Sequence, residues 1–427
     1  MLKQLHIRNF KSIKDLKMNL KELNILIGPN NSGKTSVLHS LALLKQSVEV
    51  MSFVGPLINL GDFKNVVYKH DLRRVIQISF WLNLTERGPN IIRSLNQSEF
   101  FRGFHLNRIY CLVTFGRGTR KRPYDWNVTI KDRHGKLIFA FSSDGLIKRP
   151  ETFKNIGLDF RGFLPSASSG APNSMAVYSQ FENLVSEELS KFLHYVSSLR
   201  GTSQRFESVD DRYSRRPKDV GLFGENTIPV LAYIKDEDRY NEVMERINFW
   251  SERFGLKRVV AHIEEGPTYS LKVTNKRTRV QSNILDVGFG VNQLLPVIVQ
   301  CFYAPRGSLI MIEQPEAHLH PSFQAEIADF LIDVVNYGNR VMVETHSEHL
   351  LLRLQRRVAE EKIEPKKINI CYFKETPEGS NKSDMKISET GYFVEPIPKG
   401  FFEEGFQEAL AHLRASYPRR DQIEQRE

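Results

Sequence analysis

Residues 28–35 constrain the fold more than any other stretch, because they read GPNNSGKT and fit the pattern G-x-x-x-x-G-K-[ST]. The apolar run LNILIG precedes this loop, and TSVLHSLALLKQSV, with apolar residues at helical spacing, follows it. Strand, glycine-containing loop and helix are the context that a phosphate-binding loop requires. The apolar strand is typical of a parallel sheet that is buried on both faces. The sequence therefore predicts an α/β fold with a phosphate site at this turn.

Each position of this loop has a predicted role. Gly28 and Gly33 permit backbone angles that direct successive N–H groups at phosphate oxygens. Lys34 would reach the β- and γ-phosphates, and the hydroxyl of Thr35 would bind Mg²⁺. The following helix adds the positive end of its dipole. The predicted nucleotide-binding positions are completed by Pro29, Asn30, Asn31, Ser32 and Ser36.

A second group of candidate residues follows apolar runs in the C-terminal half. The segment GSLIMIEQPE places Glu313 directly after a predicted buried strand, where phosphate-loop ATPases keep an acid of the Mg²⁺ shell. Glu313 is one methylene longer than the aspartate that is usual there. The next apolar run, in VMVETHSEHL, leads to His346, which takes the position of a γ-phosphate sensor. The predicted metal ligands are therefore Thr35 and Glu313.

A glycine turn lies upstream of the acid, in the segment ILDVGFGVNQLLPVIVQ. Gly288 and Gly290 lead into an apolar helix that carries Asn292 and Gln293 on its first turn. A helix N-terminus of this kind can hold an anion. Because the chain already has a phosphate loop of its own, we expect this turn to serve the γ-phosphate bound to a second subunit.

The pattern changes along the chain and predicts five regions. Short β-rich runs such as VIQISFWLNL and RIYCLVTF indicate a mostly antiparallel lobe after the first 50 residues. Helices are predicted at 179–199, 236–255 and 321–338, and strands at SLIMIE, RVMVET and INICYF. The predicted regions are the N-terminal part of an ATPase head (1–50), a β-rich lobe (51–178), a helical insertion and linker (179–280), the C-terminal part of the head (281–375) and a small extension (376–427).

In this order, the phosphate loop, glycine turn, acid-ended strand and histidine-ended strand resemble the ABC-type ATPase head. The segments LNILIGPNNSGKTSVL, DVGFGVNQLLPV, IEQPEAHLHP and ETHSEHLLLRLQRR together look like those of bacterial OLD- and SMC-like ATPases of the AAA group. The segment EPIPKGFFEEGF, at 395–406, is similar to a C-terminal domain of unknown function with a GFF motif. The clear matches cover roughly 1–50, 280–350 and 390–410. The resemblance implies an α/β P-loop NTPase head with an antiparallel β-rich lobe and a helical insertion.

The same resemblance implies the cofactors and the partners. Two heads would enclose ATP and Mg²⁺, each phosphate loop facing the glycine turn of the other subunit, so that loss of the γ-phosphate opens the pair. The protein would thus be a homo-oligomer built from such dimers. Relatives include ATPase subunits of anti-phage defence systems of the Septu type, which work with a separate nuclease. The resemblance therefore implies an effector partner, whose identity and trigger the sequence does not give.

Gln314 lies where many relatives carry the general base of hydrolysis. An amide orients a water molecule but cannot take its proton, so a general-base contribution of about 10²–10⁴-fold would be absent at this position. Two readings stay open. Glu316 or His318 supplies the base from a shifted loop, or the protein hydrolyses ATP slowly and works mainly as an ATP-held clamp. We expect slow hydrolysis in which Glu316 contributes, and the predicted catalytic residues are Glu313, Gln314, Glu316 and His346.

Composition limits the class of protein further. Lys and Arg number 60 against 50 Asp and Glu, a charge of +10 that favours acidic partners, including nucleic acid. Three scattered cysteines form neither a disulfide framework nor a metal set, and the start of the chain has no signal-peptide pattern. No apolar run is long enough for a membrane span. We therefore expect a reduced cytoplasmic protein that makes no membrane contact.

Three other functions are compatible with a phosphate loop. A DNA-repair or chromosome-maintenance head would bind DNA directly, although the chain has no heptads for SMC-like arms. A transporter subunit is disfavoured because the signature LSGGQ is absent and the segment from Lys34 to Asp286 is too long. A self-contained nuclease of the OLD type would need a metal-binding domain after Glu375. The short segment beyond it offers Asp384 and Glu389 but no D-x-D pair. Arg200 and Arg205 are further candidates for interface or γ-phosphate contacts.

Overall fold

The computed structural model describes residues 1–396 and residue 411, with gaps at 87, 120–121, 149–156, 160–161, 170–171, 201–204, 206, 209–215, 236 and 264–267. Of the predicted GFF segment, all but its first two residues lies outside the described residues. None of the helices in the described part of the chain combines the length and the apolar composition that crossing a bilayer requires.

The secondary structure alternates between β-rich and α/β stretches. The strands, in chain order, are β1 Leu2–Phe10, β2 Ile13–Asn19, β3 Leu23–Ile27, β4 Ile76–Asn83, β5 Arg108–Arg117, β6 Tyr124–Lys131, β7 Leu137–Ser142, β8 Gly145–Lys148, β9 Gly157–Asp159, β10 Ser166–Ser169, β11 Leu193–Val196, β12 Glu207–Ser208, β13 Leu256–Ile263, β14 Thr268–Asn275, β15 Gln281–Asn283, β16 Leu309–Glu313, β17 Arg340–Glu344, β18 Ile368–Thr376 and β19 Gly379–Met385. The α-helices are α1 Lys34–Gln46, α2 Phe63–Val66, α3 Pro89–Gln97, α4 Pro172–Ser190, α5 Thr227–Lys235, α6 Asn241–Arg253, α7 Phe289–Tyr303, α8 Pro321–Tyr337 and α9 Glu348–Ala359. Short 3-10 helices lie at Tyr68–His70, Asp238–Tyr240, Ile284–Asp286 and Pro365–Lys367.

A largely parallel sheet carries the predicted phosphate loop. Its strands run in the order β11-β16-β17-β3-β18-β19, and only β19 is antiparallel to its neighbour. Every residue of β3, β16 and β17 is buried, as their apolar sequences predicted. Alternate residues serve two different cores: Leu309 and Met311 join one, Ile310 and Ile312 the other. The three strands predicted at SLIMIE, RVMVET and INICYF are confirmed.

The β-rich lobe is an antiparallel sheet in the order β2-β1-β4-β5-β6-β7-β8. The runs VIQISFWLNL, RIYCLVTF, DWNVTI and KLIFAFSS correspond to β4, β5, β6 and β7, which confirms the antiparallel prediction. The two N-terminal strands also belong to this sheet, because β1 pairs with both β2 and β4. The apolar face of α1 packs in the core that this sheet shares with one face of the parallel sheet.

Helix α8 confirms the amphipathic segment predicted between β16 and β17. Pro321 occupies its first turn, where a missing N–H costs nothing. Gly338 ends it in the left-handed conformation, with φ of 104°. The predicted apolar face is buried, fully at Ile327, Phe330, Leu331, Val334 and Val335 and partly at Phe323.

The helix predicted at 179–199 is wrong in its C-terminal part. Helix α4 ends at Ser190, and β11 follows as an edge strand of the parallel sheet. All residues of β11 are buried, and they pair in parallel register with β16. Tertiary pairing thus overrides the helical pattern of a short apolar run. The stretch predicted as helical insertion and linker also contains a hairpin of β13 and β14, whose β-branched residues suit a pleated surface.

The packing of α8 gives a test of the core. Phe330 is fully buried and contacts the rings of Trp250 in α6 and Phe302 in α7. We expect Phe330→Ala to lower the free energy of unfolding by about 3–5 kcal/mol, because a cavity remains where the ring was. Asn336→Ala, on the exposed face of the same helix, should change it by less than about 0.5 kcal/mol. Urea unfolding followed by circular dichroism measures both, and equal shifts would contradict this packing.

Candidate nucleotide site

The glycines of the phosphate loop are required by the backbone and by the space around them. Gly28 has φ of 139°, and a Cβ there would lie 2.2 Å from the carbonyl oxygen of Phe373. Gly33 has φ of 99°, and a Cβ there would lie 2.2 Å from Oγ of Ser380. Any larger residue would therefore meet a steric clash as well as an unfavourable φ. Helix α1 begins at the next residue, so its N-terminus points into the loop.

The β18–β19 hairpin closes over the loop from the side of the antiparallel sheet. Ser380 donates its backbone N–H to the carbonyl oxygen of Ser12 at 2.8 Å, and the two hydroxyls are 2.7 Å apart. Ser12 lies in the turn between β1 and β2, so these bonds join the two sheets directly beside Gly33. We refer to this contact between Ser12 and Ser380 as the serine clasp.

Lys34 is buried and hydrogen-bonded within its own loop. Its Nζ donates to the carbonyl oxygens of Gly28, at 3.0 Å, and Pro29, at 2.7 Å. Burial lowers the pKa of Lys34, an effect that the nearby carboxylates of Glu344 and Glu316 oppose. The ammonium group is thus held where phosphate oxygens could replace two carbonyl acceptors.

Thr35 contacts an acid that sequence reasoning missed. Its hydroxyl lies 2.8 and 3.0 Å from the two carboxylate oxygens of Glu344, the last residue of β17. Glu344 is also 3.8 Å from Nζ of Lys34. Burial raises the pKa of Glu344, while Thr35 and Lys34 lower it. The available signal was the position of Glu344, an acid directly after a buried strand, as Glu313 is.

The carboxylate of Glu313 is held by the neighbouring strand. Glu313 is the strand partner of Glu344 in the parallel register of β16 and β17. It accepts hydrogen bonds from the hydroxyl of Tyr195, from Oγ of Ser197 at 3.4 Å, and from the backbone N–H and Oγ of Ser198 at 3.0 and 3.1 Å. Burial and the adjacent carboxylate raise the pKa of Tyr195, so its hydroxyl stays a donor. These contacts depend on β11 and the turn after it, a region that was predicted as helix.

The turn after β16 is fixed by a buried arginine. Gln314 has φ of 41°, an unusual value for a residue with a side chain. Arg200, only 3% exposed, donates to the carbonyl oxygens of Ser197, Glu313 and Gln314 at 2.9–3.0 Å. Burial lowers the pKa of Arg200 to about 10. Arg200 thus braces this turn from inside the chain. Arg205, by contrast, is exposed and paired with Asp286 at 2.6 Å.

Glu316 and His346 meet at the same edge of the sheet. One carboxylate oxygen of Glu316 accepts the backbone N–H of His346 at 2.7 Å. The other is buried and has no hydrogen-bond partner among the described residues. Burial raises the pKa of Glu316 and lowers that of the half-buried His346, to which the charge of Lys34 also contributes. The structure therefore brings Lys34, Glu316, His346 and Glu344 within electrostatic reach of one another.

The glycine turn lies against the loop that follows β16. Gly288 is exposed and precedes α7, while Asn292 and Gln293 are buried inside the chain. Nε2 of Gln293 has no hydrogen-bond partner within the described residues. A Cβ at Gly290 would lie 2.4 Å from the carbonyl oxygen of His318, whereas one at Gly288 would meet nothing within 4 Å. The exposed part of the turn is therefore the helix N-terminus at Gly288.

The oxygen donors at the loop suit a Mg²⁺ ion that arrives with phosphates. Within the described ranges, no group of three or more His, Cys, Asp or Glu side chains could hold a metal by itself. Mg²⁺ usually binds through one or two carboxylates together with substrate phosphates and water. The hydroxyl of Thr35 and the adjacent carboxylates of Glu344 and Glu313 fit that description.

Comparisons with known proteins relate the chain to ATPases. A family profile described as an AAA ATPase domain matches residues 1–100 and 173–351. An ATP/GTP phosphatase of Helicobacter pylori is 23% identical over 374 residues, which are 84% of this chain and 89% of that protein. An uncharacterized protein of Methanocaldococcus jannaschii is 43% identical over 53 residues, 12% of this chain and 24% of that protein.

Solved structures also align along most of the chain. An SMC head bound to the C-winged helix domain of ScpA covers 90% of this chain and 98% of its own, at 11% identity and a TM-score of 0.45. A Pyrococcus furiosus SMC head domain with an extended coiled coil, bound to the C-terminal domain of ScpA, covers 97% and 99%, at 11% identity and a TM-score of 0.46.

The two glycines of the turn give a matched test. Gly290→Ala should lower the free energy of unfolding by about 1–3 kcal/mol, because its Cβ would force the backbone at His318 to move. Gly288→Ala should change it by less than about 0.5 kcal/mol, since its φ of −52° and open surroundings accept a side chain. Chemical unfolding of both variants without nucleotide measures the difference. Indistinguishable variants would show that the contact with His318 is absent.

Proposed function

The chain belongs to the family of AAA ATPase domains, and on that premise we propose that it is an ATP-driven switch. It binds ATP with Mg²⁺, hydrolyses it slowly and self-associates around it. In that state it regulates a separate effector protein, a nuclease in bacterial anti-phage defence. The observation that carries the proposal is the meeting of Lys34, Thr35, Glu316, His346 and the paired acids Glu313 and Glu344 at one edge of the parallel sheet.

Chemical roles follow from the contacts of each side chain. Lys34 exchanges its two loop carbonyls for phosphate oxygens, and the backbone N–H groups of the loop and α1 hold the same oxygens. Thr35 and the acids that end β16 and β17 are the candidate Mg²⁺ ligands, and the metal would neutralise phosphate charge there. His346, two residues after β17, would contact the terminal phosphate.

Slow hydrolysis is supported by Gln314 and Glu316, which lie in the turn after Glu313. The amide of Gln314 cannot accept a proton, and the turn that carries it is fixed by Arg200. Burial raises the pKa of Glu316, although hydrogen bonds from the backbone of His346 and the side chain of Thr345 lower it. A carboxylate with a raised pKa is a stronger base towards water than an exposed one. Glu316 is therefore the base we assign.

Self-association is supported by the exposed N-terminus of α7. A helix N-terminus attracts anions, and Gly288 leaves the space in front of it open. The phosphate loop of the same chain has its own helix N-terminus at α1. We assign the turn at Gly288 to the γ-phosphate on a second subunit, which makes ATP part of the dimer contact. Nuclease partnership and the defence role rest on the resemblance of the sequence motifs alone.

A DNA-binding head is the second candidate, and one surface favours it. A cavity of about 600 Å³ lies at the seam between β2 and β19, and its lining includes Lys17, Lys21, Lys366, Lys382 and Lys386 against the single acid Asp384. Lysines on edge strands also prevent sheet-to-sheet aggregation, so this surface has a structural explanation as well. Direct DNA binding would strengthen with ATP and weaken steeply with salt.

A reducing compartment is supported by the cysteines. Cys111, Cys301 and Cys371 are buried and free. Burial raises the pKa of each thiol, which keeps it protonated and unreactive. We therefore assign the protein to the cytoplasm.

Lys34→Ala tests the switch as a whole. We expect this variant to bind ATP about 10- to 100-fold more weakly and to remain monomeric with ATP, because the charge-assisted bonds to the phosphates are lost. Lys64→Ala, an exposed lysine in α2, should behave as the parent protein does. A fluorescent ATP analogue measures affinity, and light scattering measures mass. If Lys34→Ala binds and assembles as the parent does, the proposed function is wrong.

Two amide–acid exchanges test the general base. Glu316→Gln should lower ATP turnover by about 10²-fold or more with little change in nucleotide affinity, because the amide can still accept the N–H of His346. Gln314→Glu should raise turnover by restoring an acid at the usual position. Steady-state phosphate release with matched binding measurements separates the two effects. An unchanged rate in Glu316→Gln removes that residue from the mechanism.

A further inference from the structure

Two carboxylates stand side by side at the ends of β16 and β17, and they face different partners. Glu313 receives donors from Tyr195, Ser197 and Ser198, all on the side of β11. Glu344 receives the hydroxyl of Thr35. The acid directed at the phosphate loop is therefore Glu344, and the acid directed away from it is Glu313.

The spacing of the oxygens suits a shared cation. Mg²⁺ binds oxygen at about 2.0–2.1 Å in octahedral geometry, which places neighbouring ligand oxygens about 2.9 Å apart. Oγ of Thr35 lies 2.8 and 3.0 Å from the carboxylate oxygens of Glu344. In the structure a hydrogen bond joins these oxygens. A cation bound by the same oxygens would need little movement of either side chain.

Charge gives Glu344 a second effect. The side chain of Glu344 is only 6% exposed. Its nearest cationic group among the described residues is Nζ of Lys34, 3.8 Å away. When Lys34 turns to the phosphates of a nucleotide, Glu344 loses that cation and faces further negative charge. Like charges at short range in a buried site repel strongly. A divalent cation between Glu344 and the phosphates would attract both groups and so turn this repulsion into a net attraction.

We propose that Glu344 contacts the Mg²⁺ beside Thr35 and makes nucleotide binding depend on the metal, with Glu313 supporting the strand end from its hydrogen-bonded position. This inference rests on the proposed function and adds a residue and a requirement to it. Metal-free triphosphate is repelled by Glu344, whereas the magnesium complex is attracted. The site therefore selects Mg–ATP over free ATP before any chemistry begins.

The test compares the affinity for a fluorescent, non-hydrolysable ATP analogue with Mg²⁺ and with EDTA. The dissociation constant in EDTA divided by the dissociation constant with Mg²⁺ measures how strongly binding of the metal and binding of the nucleotide are coupled. We expect Glu344→Gln to reduce this ratio by about ten-fold or more, through weaker binding with Mg²⁺ and tighter binding in EDTA. The glutamine keeps an acceptor for Thr35, so the loop should stay folded. Glu344→Asp keeps the charge, so its ratio should lie closer to that of the parent protein than the ratio of Glu344→Gln does.

Two controls separate Glu344 from its neighbours. Glu375→Gln removes the same charge from an exposed position on β18 and should leave the ratio unchanged. Glu313→Gln should reduce the ratio less than Glu344→Gln does. A second readout is the binding of Mn²⁺ in the presence of the analogue, followed by electron paramagnetic resonance. Glu344→Gln should weaken it, and Glu375→Gln should not.

The possible failures point to different conclusions. A parent protein that binds no analogue under either condition contradicts the proposed function, and this inference falls with it. A parent that binds in a metal-dependent manner, with the same ratio in Glu344→Gln, overturns only the role of Glu344. Loss of metal dependence in Glu313→Gln but not in Glu344→Gln overturns it as well and assigns the contact to Glu313.

Discussion

The parallel register of β3, β17 and β16 is the constraint on which the candidate site depends. The carboxyl ends of parallel strands meet at one edge of a sheet, so the loop after β3 and the acids that end β16 and β17 come together although they are far apart in sequence. The register pairs Glu313 with Glu344. A shift of one residue would turn a carboxylate to the other face of the sheet and into an apolar core. The packing of apolar side chains on the two faces of the sheet therefore determines which polar side chains meet at this edge.

Most polar groups at the phosphate loop form hydrogen bonds within the chain. Lys34 donates to its own loop, Thr35 donates to Glu344, and Arg200 holds the carbonyl oxygens of the turn after β16. Such bonds keep buried polar groups paired and so avoid a desolvation cost of about 1–3 kcal/mol for each. A nucleotide must offer replacements for the same bonds, which phosphate oxygens and a divalent cation do. Among the described residues near the site, one carboxylate oxygen of Glu316, Nε of Arg200 and Nε2 of Gln293 are buried without such a bond.

Much of this arrangement could be predicted from the sequence, where a pattern was long or had strong physical limits. The fold class is confirmed, an α/β P-loop NTPase of the ABC-type head with an antiparallel β-rich lobe and a helical insertion. The phosphate loop was predictable because its backbone angles require glycine at positions 28 and 33. The helix from Pro321 to Gly338 was predictable because proline is common in the first turn of a helix and glycine at its end. Strand β11 was missed because its four residues continue a helical pattern, and only pairing with β16 makes them a strand. Glu344 was missed although it ends an apolar run as Glu313 does, because its contact with Thr35 is tertiary.

The serine clasp connects the antiparallel lobe to the parallel sheet beside the phosphate loop. The bonds between Ser12 and Ser380 lie directly beside Gly33, and the turn that carries Ser12 continues into β1 and β2 of the lobe. A displacement of that sheet would therefore act on Ser380 of β19, which lies against Gly33 with no room for a side chain between them. Binding of a partner to the antiparallel sheet would therefore also displace residues next to the phosphate loop. A rearrangement of the loop would in turn act on the antiparallel sheet.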